Sequence, residues 1–531
     1  MVTVTSVPVA PPDPRRWWAL AALVASMLTL GFDMTILNVA LSTMAQVLGA
    51  STGEQQWMAD SYVVVFAALM LPAGLLGDRF GRRRMLITGL GVFLAGSLAG
   101  ALADGVTAVI AARAVMGVGA ALITPLALSV LPSLFAPDER TKAVGIVSAG
   151  STLGLPLGPI LGGWLLNHYW WGSVFLINLP MAAIGIAACV FLLPETRPHS
   201  RPRTGEEPPV PASPQVDAVS TALTAAGLGT LIYSIIEAPT RGWTDPLVLA
   251  LFGAAAVLLT ALVLRERQVE QPMLDMALLA RRGFLFNALA ATLVMFVLTG
   301  LMFVLPPYLQ TVLGHDTLGT GVRLLPMMGG LILAARAAQP VVVRFGSRAV
   351  VSAGLVVLAF AALLGSRTTI DSGYGFTALW LTVAGIGFGF SIVPAMSGAL
   401  GTLSADRAGS GSGLLMTLRQ VGSAIGIALL GSLLASAYRD RLDVTGLPAG
   451  AADTAAESVV AAHVVADRAG AADLVASANG AYVHGMDVAM LVCGVAALVA
   501  ALLAAAFLPG TVRGTPTAAP DLAARKADAR Q

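Results

Sequence analysis

Long apolar runs alternate with short polar turns along most of this 531-residue chain. A helix needs about 20 predominantly apolar residues to cross the hydrocarbon core of a bilayer, and each run supplies close to that number. The pattern predicts fourteen spanning helices, near residues 17–39, 57–76, 85–103, 107–131, 142–165, 171–193, 217–237, 246–264, 284–305, 318–340, 349–366, 375–399, 411–436 and 485–508. We therefore expect an all-α membrane protein.

Composition agrees with this expectation and excludes other classes. Hydrophobic residues make up 56% of the chain and charged residues 11%, with a mean hydropathy of +0.81. Soluble domains carry about 25% charged residues. The net charge of +2 is far from the strongly basic balance of nucleic-acid-binding domains, so we expect no nucleic-acid partner. The lipid bilayer and small molecules are the partners to expect.

The distribution of basic residues predicts the orientation of the chain. One set of loops, the set on the side of both termini, holds sixteen arginines and lysines. The opposite set holds only five, which are Arg241, Arg367, Arg439, Arg441 and Arg468. Basic loops stay on the cytoplasmic side of a membrane. The sequence therefore predicts a multi-pass protein of the cytoplasmic (inner) membrane with both termini in the cytoplasm.

Four segments fall outside the predicted helices. Residues 1–14 and 509–531 are rich in proline, alanine and charge and are predicted to be cytoplasmic tails. Residues 194–216 have the same character and are predicted to form a cytoplasmic linker. Residues 437–484 form a long, alanine-rich outer loop with room for a short amphipathic helix.

Cofactor and metal motifs are absent from the sequence. The lysines are Lys142 and Lys526, and neither belongs to a phosphate-binding GxxxxGK[ST] loop, so ATP bound to this chain is not expected to supply energy. No HExxH zinc motif occurs among the five histidines. Cys189 and Cys493 lie inside apolar runs and are expected to be buried and free. We expect no catalytic site, no metal and no cofactor.

Two charged residues lie deep inside predicted spans. A charge in the membrane is costly and usually marks an ion or substrate pathway. Asp33 lies in the first span, where Ser26 and Thr29 extend a polar stripe toward a predicted cavity, and Arg113 lies in the fourth span. In a low dielectric an aspartate and an arginine are expected to pair, and a proton arriving at Asp33 would compete with that pair. The alternative interpretation is a purely structural ion pair.

Other polar residues in the spans have less specific interpretations. Asp60 begins the second span and either faces a cavity or sits at the outer interface. Arg336 and Arg419 are expected to reach the membrane surface or to stabilise the second half of the protein. Five residues are weaker candidates for a substrate cavity, since satisfied polar groups are common inside helix bundles: Asn38, Asn178, Asn287, Tyr308 and Gln310.

The fifth span has an unusual glycine spacing. It reads GSTLGLPLGPILGG, with Gly150, Gly154, Gly158 and Gly162 four residues apart, followed by Gly163. Glycines at this spacing share one helix face and allow a neighbouring backbone to approach closely in lipid. Pro156 and Pro159 remove backbone donors and bend the helix. The face is expected either to pack statically or to form a smooth seam against a moving partner.

Several motifs together resemble those of the major facilitator superfamily, in particular its fourteen-helix drug:proton antiporter branch. They are LGFDMTILNVAL at 30–41, GDRFGRRR at 77–84, RAVMGVGAA from Arg113, the glycine motif of the fifth span, and LRQVGSAIG from Leu418. The second-half counterpart of GDRFGRRR is only RFGSR at 344–348, which lacks the Gly-Asp start.

The resemblance implies the architecture of the chain. Helices of 15–193 would form an N-terminal six-helix bundle, and helices of 284–508 a C-terminal six-helix bundle that includes the long outer loop. Two inserted helices at 217–266 and a cytoplasmic linker at 267–283 would separate the bundles. A substrate cavity would lie between the bundles near the midplane of the membrane.

The resemblance also implies roles for residues. Asp33, Arg113 and Asp60 would couple transport to protons. The glycine motif would form the seam between the bundles. A cytoplasmic gate would be formed by Gly77, Asp78, Gly81 and Arg82, with Arg82 paired to Asp138 or Glu139.

The implied function is proton-coupled antiport that exports drug-like or antibiotic small molecules by alternating access. The acidic cavity residues suggest lipophilic substrates that include cations, protons would be the coupling ion, and we expect a monomer. Two alternatives stay open, a proton-coupled importer or facilitator of a small nutrient and a membrane sensor that does not transport.

Overall fold

A computed structural model describes residues 16–135, 139, 154, 157–193, 217–269, 276–402 and 408–508. All the regular secondary structure in these ranges is helical. The predicted tails at 1–14 and 509–531 and the linker at 194–216 lie outside the described residues, as do Gly150 and Pro156.

The first half of the chain contains seven described helices before the predicted linker. They are α1 Arg16–Leu48, α2 Thr52–Phe80, α3 Arg82–Ala101, α4 Val106–Leu134, α5 at residues 157–168, the single turn α6 Ser173–Leu176, and α7 Asn178–Leu192. Two helices follow that linker, α8 Ala218–Arg241 and α9 Pro246–Gln268.

The remaining helices belong to the second half of the chain. They are α10 Met276–Leu279, α11 Arg282–Pro307, α12 Thr317–Arg323, α13 Leu325–Phe345, α14 Ser347–Gly365, α15 Tyr374–Gly401, α16 Ala408–Arg441, α17 Ala449–Glu457, α18 Val459–Ala469 and α19 Ala472–Phe507. A π-helical turn, Tyr308–Val312, continues α11.

Twelve segments of the described chain are helical, long and apolar enough to cross a bilayer. The other two predicted spans coincide with α2, a helix of 29 residues, and with the segment whose second part is α5. The prediction of an all-α membrane protein is confirmed, and the structure is compatible with fourteen spans.

The region predicted as an outer loop is mainly helical. The last spanning helix begins at Ala472 rather than near residue 485, and α17 and α18 occupy much of the remainder. Hydropathy alone defined the predicted boundary, whereas alanine has the highest helix propensity of all residues and extends helices beyond the apolar core.

The helices pack as two bundles with an inserted pair. In the N-terminal bundle α1 packs on α7, and α4 packs on α2 and α3. In the C-terminal bundle α11 packs on α16, and α15 packs on α13 and α14. The inserted helices α8 and α9 pack on each other, and α8 contacts both α2 and α16. The predicted arrangement of two bundles plus two inserted helices is therefore observed.

Corresponding turns in the two bundles have the same backbone geometry. Gly81 joins α2 to α3 with φ of 100°, and Gly346 joins α13 to α14 with φ of 84°. Only glycine adopts such values without strain. The second-half sequence RFGSR thus retains the tight turn although it lacks the Gly-Asp start.

Contacts between the bundles cluster at one end of the molecule, which we call the first-turn end because it carries the α1–α2 turn at residues 49–51. Gln56 Nε2 on α2 donates to the Ala428 carbonyl on α16 at 2.7 Å. Gln310 Nε2 donates to the Val39 carbonyl on α1 at 3.0 Å. Asn167 Nδ2, in the last turn of α5, donates to Asp316 Oδ2 at 2.6 Å.

Candidate transport site

Asp33 and Arg113 form an ion pair inside the N-terminal bundle. Arg113 Nη1 on α4 lies 2.5 Å from Asp33 Oδ2 on α1, and the two side chains are 3% and 2% exposed. The predicted pairing of these two residues is therefore observed. A buried pair of this kind is tolerated because each partner compensates the desolvated charge of the other, and removal of one partner leaves an uncompensated charge.

Four further groups complete the environment of the ion pair. Asn178 Nδ2 on α7 lies 3.3 Å from Asp33 Oδ1 and 3.1 Å from Ser97 Oγ on α3. Arg113 Nε donates to the Met58 carbonyl on α2 at 3.2 Å. The guanidinium also lies over the ring of Tyr62, 4.4 Å from its centroid, where the negative face of the ring attracts the cation. Five helices thus contribute to one polar network around the ion pair.

This network includes residues that sequence analysis did not connect. Asn178 was a candidate for the substrate cavity, but its amide binds Asp33 inside the bundle. Tyr62 and Ser97 were missed, although Tyr62 lies only two residues beyond Asp60 in the same polar stretch. A polar residue in an apolar span is the available signal, and it does not reveal the partner.

The predicted polar stripe on α1 does not face a cavity. Ser26 and Thr29 are 0% and 1% exposed, and their hydroxyls donate to carbonyls of α1 itself. A Cβ at Gly185 of α7 would lie 2.7 Å from Ser26 Oγ, so this face packs tightly against α7. The prediction that the stripe faces a cavity is wrong, because hydroxyls satisfied by their own helix pack as apolar surface.

Asp60 is an unpaired carboxylate inside the protein. It is 0% exposed, and neither oxygen has a hydrogen-bond partner among the described residues. Helix α2 begins at Thr52 with a capping box formed by Ser51 and Glu54. Asp60 therefore lies two turns inside the helix rather than at an exposed interface. A buried carboxylate is costly unless it is paired or hydrogen-bonded.

Unsatisfied polar groups continue on α16, which packs against α2. Its buried side-chain atoms without a partner in the described structure include Thr417 Oγ1, Gln420 Nε2 and Ser423 Oγ. Gln56 bonds to Ala428 and the two helices run in opposite directions, so a rise of 1.5 Å per residue places Asp60 near the level of residue 424. Free hydrogen-bonding capacity on α16 thus begins at the level of Asp60 and extends about 10 Å along the helix from it.

The other four cavity candidates lie in separate places. The amides of Asn38 and Asn287 donate to carbonyls of their own helices, Met34 and Gly283. Tyr308 lies in the π-helical turn, where its hydroxyl donates weakly to the Thr369 carbonyl at 3.4 Å. Gln310 is hydrogen-bonded across the bundles at the first-turn end. Their contact with a substrate stays a prediction.

The glycine face of α5 packs against α1 of the same bundle. A Cβ at Gly154 would lie 2.8 Å from the Gly31 backbone, and one at Gly158 would overlap Thr35 Oγ1. A Cβ at Gly162 would lie 2.6 Å from Ile36. This stripe therefore brings α5 close to the helix that carries Asp33, and the interpretation of it as the seam between bundles is wrong for these three glycines.

The seam contact of α5 is made by other residues of the same motif. A Cβ at Gly163 would lie 2.5 Å from Leu318 Cα of α12, and the Pro159 carbonyl meets Gly321. Thr317 also donates its hydroxyl to the Gly163 carbonyl at 3.2 Å. Two faces of α5 are thus in close backbone contact, one with α1 and one with the C-terminal bundle.

The GDRFGRRR turn is built for close packing. A Cβ at Gly77 would overlap Leu126 of α4, and Gly81 forms the turn itself. Arg82 Nη1 donates to the Ser129 carbonyl at 2.6 Å. Glu139, one of the predicted partners of Arg82, instead pairs with Arg16 at 2.9 Å. Asp138 and the side chain of Asp78 lie outside the described residues.

A small cavity lies at the first-turn end, away from the Asp33 ion pair. Its lining comes from both bundles and from α18, and includes Thr52, Phe303, Tyr438 and Tyr482. Tyr438 and Tyr482 donate to the carbonyls of Ala455 and Val304. The short helices of the outer segment thus close over this end.

Comparisons with known proteins agree with this architecture. The chain is 31% identical over 498 residues to a tetracenomycin C resistance and export protein of Streptomyces glaucescens, covering 91% of this chain and 90% of the relative. It is 34% identical over 442 residues to a puromycin resistance protein of Streptomyces alboniger, covering 81% and 84%. A multidrug efflux pump of Mycolicibacterium smegmatis is 32% identical over 496 residues, covering 91% and 96%.

A solved structure shows the same fold. The crystal structure of a bacterial homolog to the human lysosomal transporter Spinster, inward-facing and unoccupied, matches with a TM-score of 0.65 at 19% identity, covering 93% of this chain and 97% of that one. The family model described as Major Facilitator Superfamily matches residues 23–427. This chain is a multi-pass membrane protein of the Major Facilitator Superfamily, within the branch whose members include drug resistance and export proteins.

Proposed function

We propose that this protein is a proton-coupled antiporter that exports drug-like or antibiotic small molecules across the cytoplasmic membrane by alternating access. The observation that carries the proposal is the buried Asp33–Arg113 ion pair. A scaffold or sensor has no need of charges that are costly in the membrane. The names of relatives as resistance and export proteins favour export over nutrient import.

The orientation follows from the arginine distribution. If both termini are cytoplasmic, the first-turn end faces outward. The contacts at Gln56, Gln310 and Asn167 then close the outer side, and the described conformation corresponds to a pathway that serves the cytoplasm. Opening outward requires these contacts to break and the GDRFGRRR side to close.

Asp33 is the proposed proton carrier. In the proposed cycle, a proton from outside binds Asp33 and competes with Arg113 for the carboxylate. Weakening of the pair loosens α1 against α4 while substrate leaves outward. After the pathway reopens to the cytoplasm, proton loss restores the ion pair and the substrate-binding state. Asn178 is placed to hold the carboxylate in position in both protonation states, because its amide can donate to either form.

Asp60 is proposed as a second proton site. Its carboxylate lacks a partner in the described conformation, whereas Asp33 has two. One acid is therefore compensated by a cation and the other is not within a single conformation. Two acids in such different surroundings would allow a proton to be taken up and released in different conformations.

The membrane potential supplies enough free energy for such export. One charge crossing 100 mV yields about 2.3 kcal/mol, and about 1.4 kcal/mol corresponds to a tenfold concentration ratio. One proton per cycle therefore sustains roughly a fortyfold gradient of a neutral solute. Neither ATP nor a bound cofactor is needed in this scheme, and the pathway is complete within one monomer.

The test uses proteoliposomes with an imposed proton gradient. The test compounds are tetracenomycin C and puromycin, which are named for two relatives. We expect gradient-dependent accumulation that a protonophore abolishes and that Asp33→Asn removes. Asp371→Asn, at an exposed loop acid, is the matched control and should transport normally.

Accumulation that persists unchanged after the gradient collapses would exclude proton-driven export. Counterflow of labelled compound without any gradient separates a facilitator from a sensor, since only a transporter exchanges label. Accumulation in the direction opposite to export would establish the importer instead.

A further inference from the structure

Arg419 of α16 is a cation without an anionic partner in the described structure. Its Nη1 lies 3.1 Å from Met416 Sδ and its Nη2 lies 3.5 Å from Met295 Sδ on α11. Its Nε is buried and has no acceptor among the described residues. Thioether sulfur is only a weak acceptor. The positive charge of Arg419 is therefore poorly compensated, which is costly inside a membrane protein.

Acidic residues of the C-terminal bundle are too distant to compensate this charge. Apart from Asp440 at the far end of α16, the acids of its spanning helices are Asp473 and Asp487 of α19. A Cβ at Gly485 would lie 2.7 Å from the Leu434 carbonyl, which fixes the register of the two antiparallel helices. The rise per residue then places Asp487 about 20 Å from Arg419 along the helix axis.

Acids of the N-terminal bundle are also unsuited. Asp33 is already paired with Arg113. Asp60 lies near the level of residue 424, about 7.5 Å along the axis from Arg419. Residues 419 and 424 also lie on different faces of α16: Gly426, on the same side as Arg419, packs against Phe296 of α11. No acid among the described residues is therefore seen to compensate Arg419, which leaves its charge available to a ligand.

The surroundings of Arg419 are suited to a ligand with an apolar body. Arg419 is only partly buried and lies between α11, which contacts α1 across the seam, and α16, which contacts α2. Its neighbours Met295 and Met416 are flexible and adapt to varied apolar shapes. Thr417 and Gln420, on the adjoining part of α16, retain free hydrogen-bonding capacity.

We propose that Arg419 recognises an anionic group on the transported compound. The compound would be an apolar organic anion, with a carboxylate, sulfonate or phenolate group on a hydrophobic body. This inference rests on the proposed export function and narrows its substrate class, away from the cations suggested by the acidic residues. The planar guanidinium binds such groups through two parallel hydrogen bonds. The neutral complex removes the cost of an unpaired charge in the pathway.

The test is equilibrium dialysis with purified protein in nanodiscs of zwitterionic lipid at neutral pH. The probes are dansylglycine, which carries a carboxylate, and its methyl ester, which does not. We expect the wild type to bind the acid about ten- to one-hundredfold more tightly than the ester, the range for a hydrogen-bonded charged group. Arg419→Gln should bind both probes equally.

Two further variants separate charge from structure. Arg419→Lys keeps the charge but loses the planar fork, so it should retain a smaller preference for the acid. Arg336→Gln removes another arginine of a C-terminal span, one that is exposed on α13, and should leave the preference unchanged. If Arg419→Gln does not fold, a reduced preference in Arg419→Lys supports the same conclusion.

Equal affinity of the wild type for acid and ester would overturn the inference, and so would an unchanged preference in both Arg419 variants. The binding measurement needs no proton gradient. If the wild type prefers the acid but shows no gradient-dependent export, only the proposed function is contradicted. Gradient-driven export without any acid preference would contradict only the role of Arg419.

Discussion

Replacing Arg113 by methionine tests whether the Asp33 ion pair stabilises the fold or couples export to the proton gradient. The change removes the partner at 2.5 Å and leaves Asp33, 2% exposed, with the Asn178 amide at 3.3 Å as its remaining contact. Breaking a buried pair by removing one partner costs about 3–5 kcal/mol, because the other charge stays desolvated. We expect Arg113→Met to lower the free energy of unfolding by this amount.

The double variant Asp33→Asn/Arg113→Met isolates the pair. Both charges are gone, so the desolvation cost disappears with the attraction, and stability should recover to within about 2 kcal/mol of the wild type. The stability losses of the two single variants then sum to far more than the loss in the double variant. The difference is a coupling energy well above the roughly 0.5 kcal/mol within which independent sites add. Reversible unfolding in mixed detergent micelles measures each value.

Transport by the double variant distinguishes the two interpretations of the pair. We expect a stable, folded protein that no longer links export to the proton gradient, because no carboxylate remains at position 33. Additive single effects, or a loss below about 1 kcal/mol for Arg113→Met, would show that the pair is solvated and would refute the reasoning. Full gradient-driven export by the double variant would assign the pair a structural role alone.

Three more changes test other parts of the structure. Gly158→Leu would insert a side chain where even a Cβ overlaps Thr35, so we expect a loss of roughly 1–3 kcal/mol of stability together with loss of transport; normal export by stable mutant protein would contradict this. The hydrogen bond from Arg265, helped by weaker ones from Ser220 and Val219, lowers the pKa of Asp217 to about 2. The stability that the ionised Asp217 adds is therefore present above about pH 4 and is lost as the pH falls toward 2. Thermal scans should show this acid loss in the wild type and a weaker one in Asp217→Asn, which keeps the helix cap; identical profiles would exclude it. Gln56→Leu removes hydrogen bonds across the first-turn end, each worth about 0.6 kcal/mol in a membrane protein, and should shift the populations several-fold toward the opposite conformation, as measured by spin-label distances across that end; an unchanged distance distribution would oppose this.

Properties that depend on local sequence were predicted well. The positions of the spans follow from hydropathy, because lipid offers no hydrogen bonds and a spanning segment must be a helix of mostly apolar residues. The pairing of Asp33 with Arg113 was predicted from cost, since opposite charges buried in the spans of one bundle compensate each other. Both predictions needed residue types and approximate depth but no packing detail.

Properties that depend on partners were not predicted. The glycines of α5 predicted that another helix backbone lies close to this face. Their spacing does not indicate whether that helix is α1 or belongs to the other bundle. Asn178 signalled a polar function, yet its partner Asp33 is 145 residues away in the chain. The start of α19 was missed because its first turns are alanine-rich rather than strongly apolar, so helix propensity extends them where hydropathy gives no signal.

Charge is distributed differently in the two bundles. Among the described residues, the N-terminal bundle holds a compensated pair and, in Asp60, an acid without a hydrogen-bond partner, whereas the side-chain hydrogen bonds of Arg419 in the C-terminal bundle are to sulfur. In the proposed cycle a proton would neutralise an acid of the N-terminal bundle, and an organic anion would neutralise Arg419. Because α2 packs on α16, each neutralisation changes the cost of moving the same pair of helices. Ligand and proton would thus act on one interface without sharing a residue, which is what coupled exchange requires.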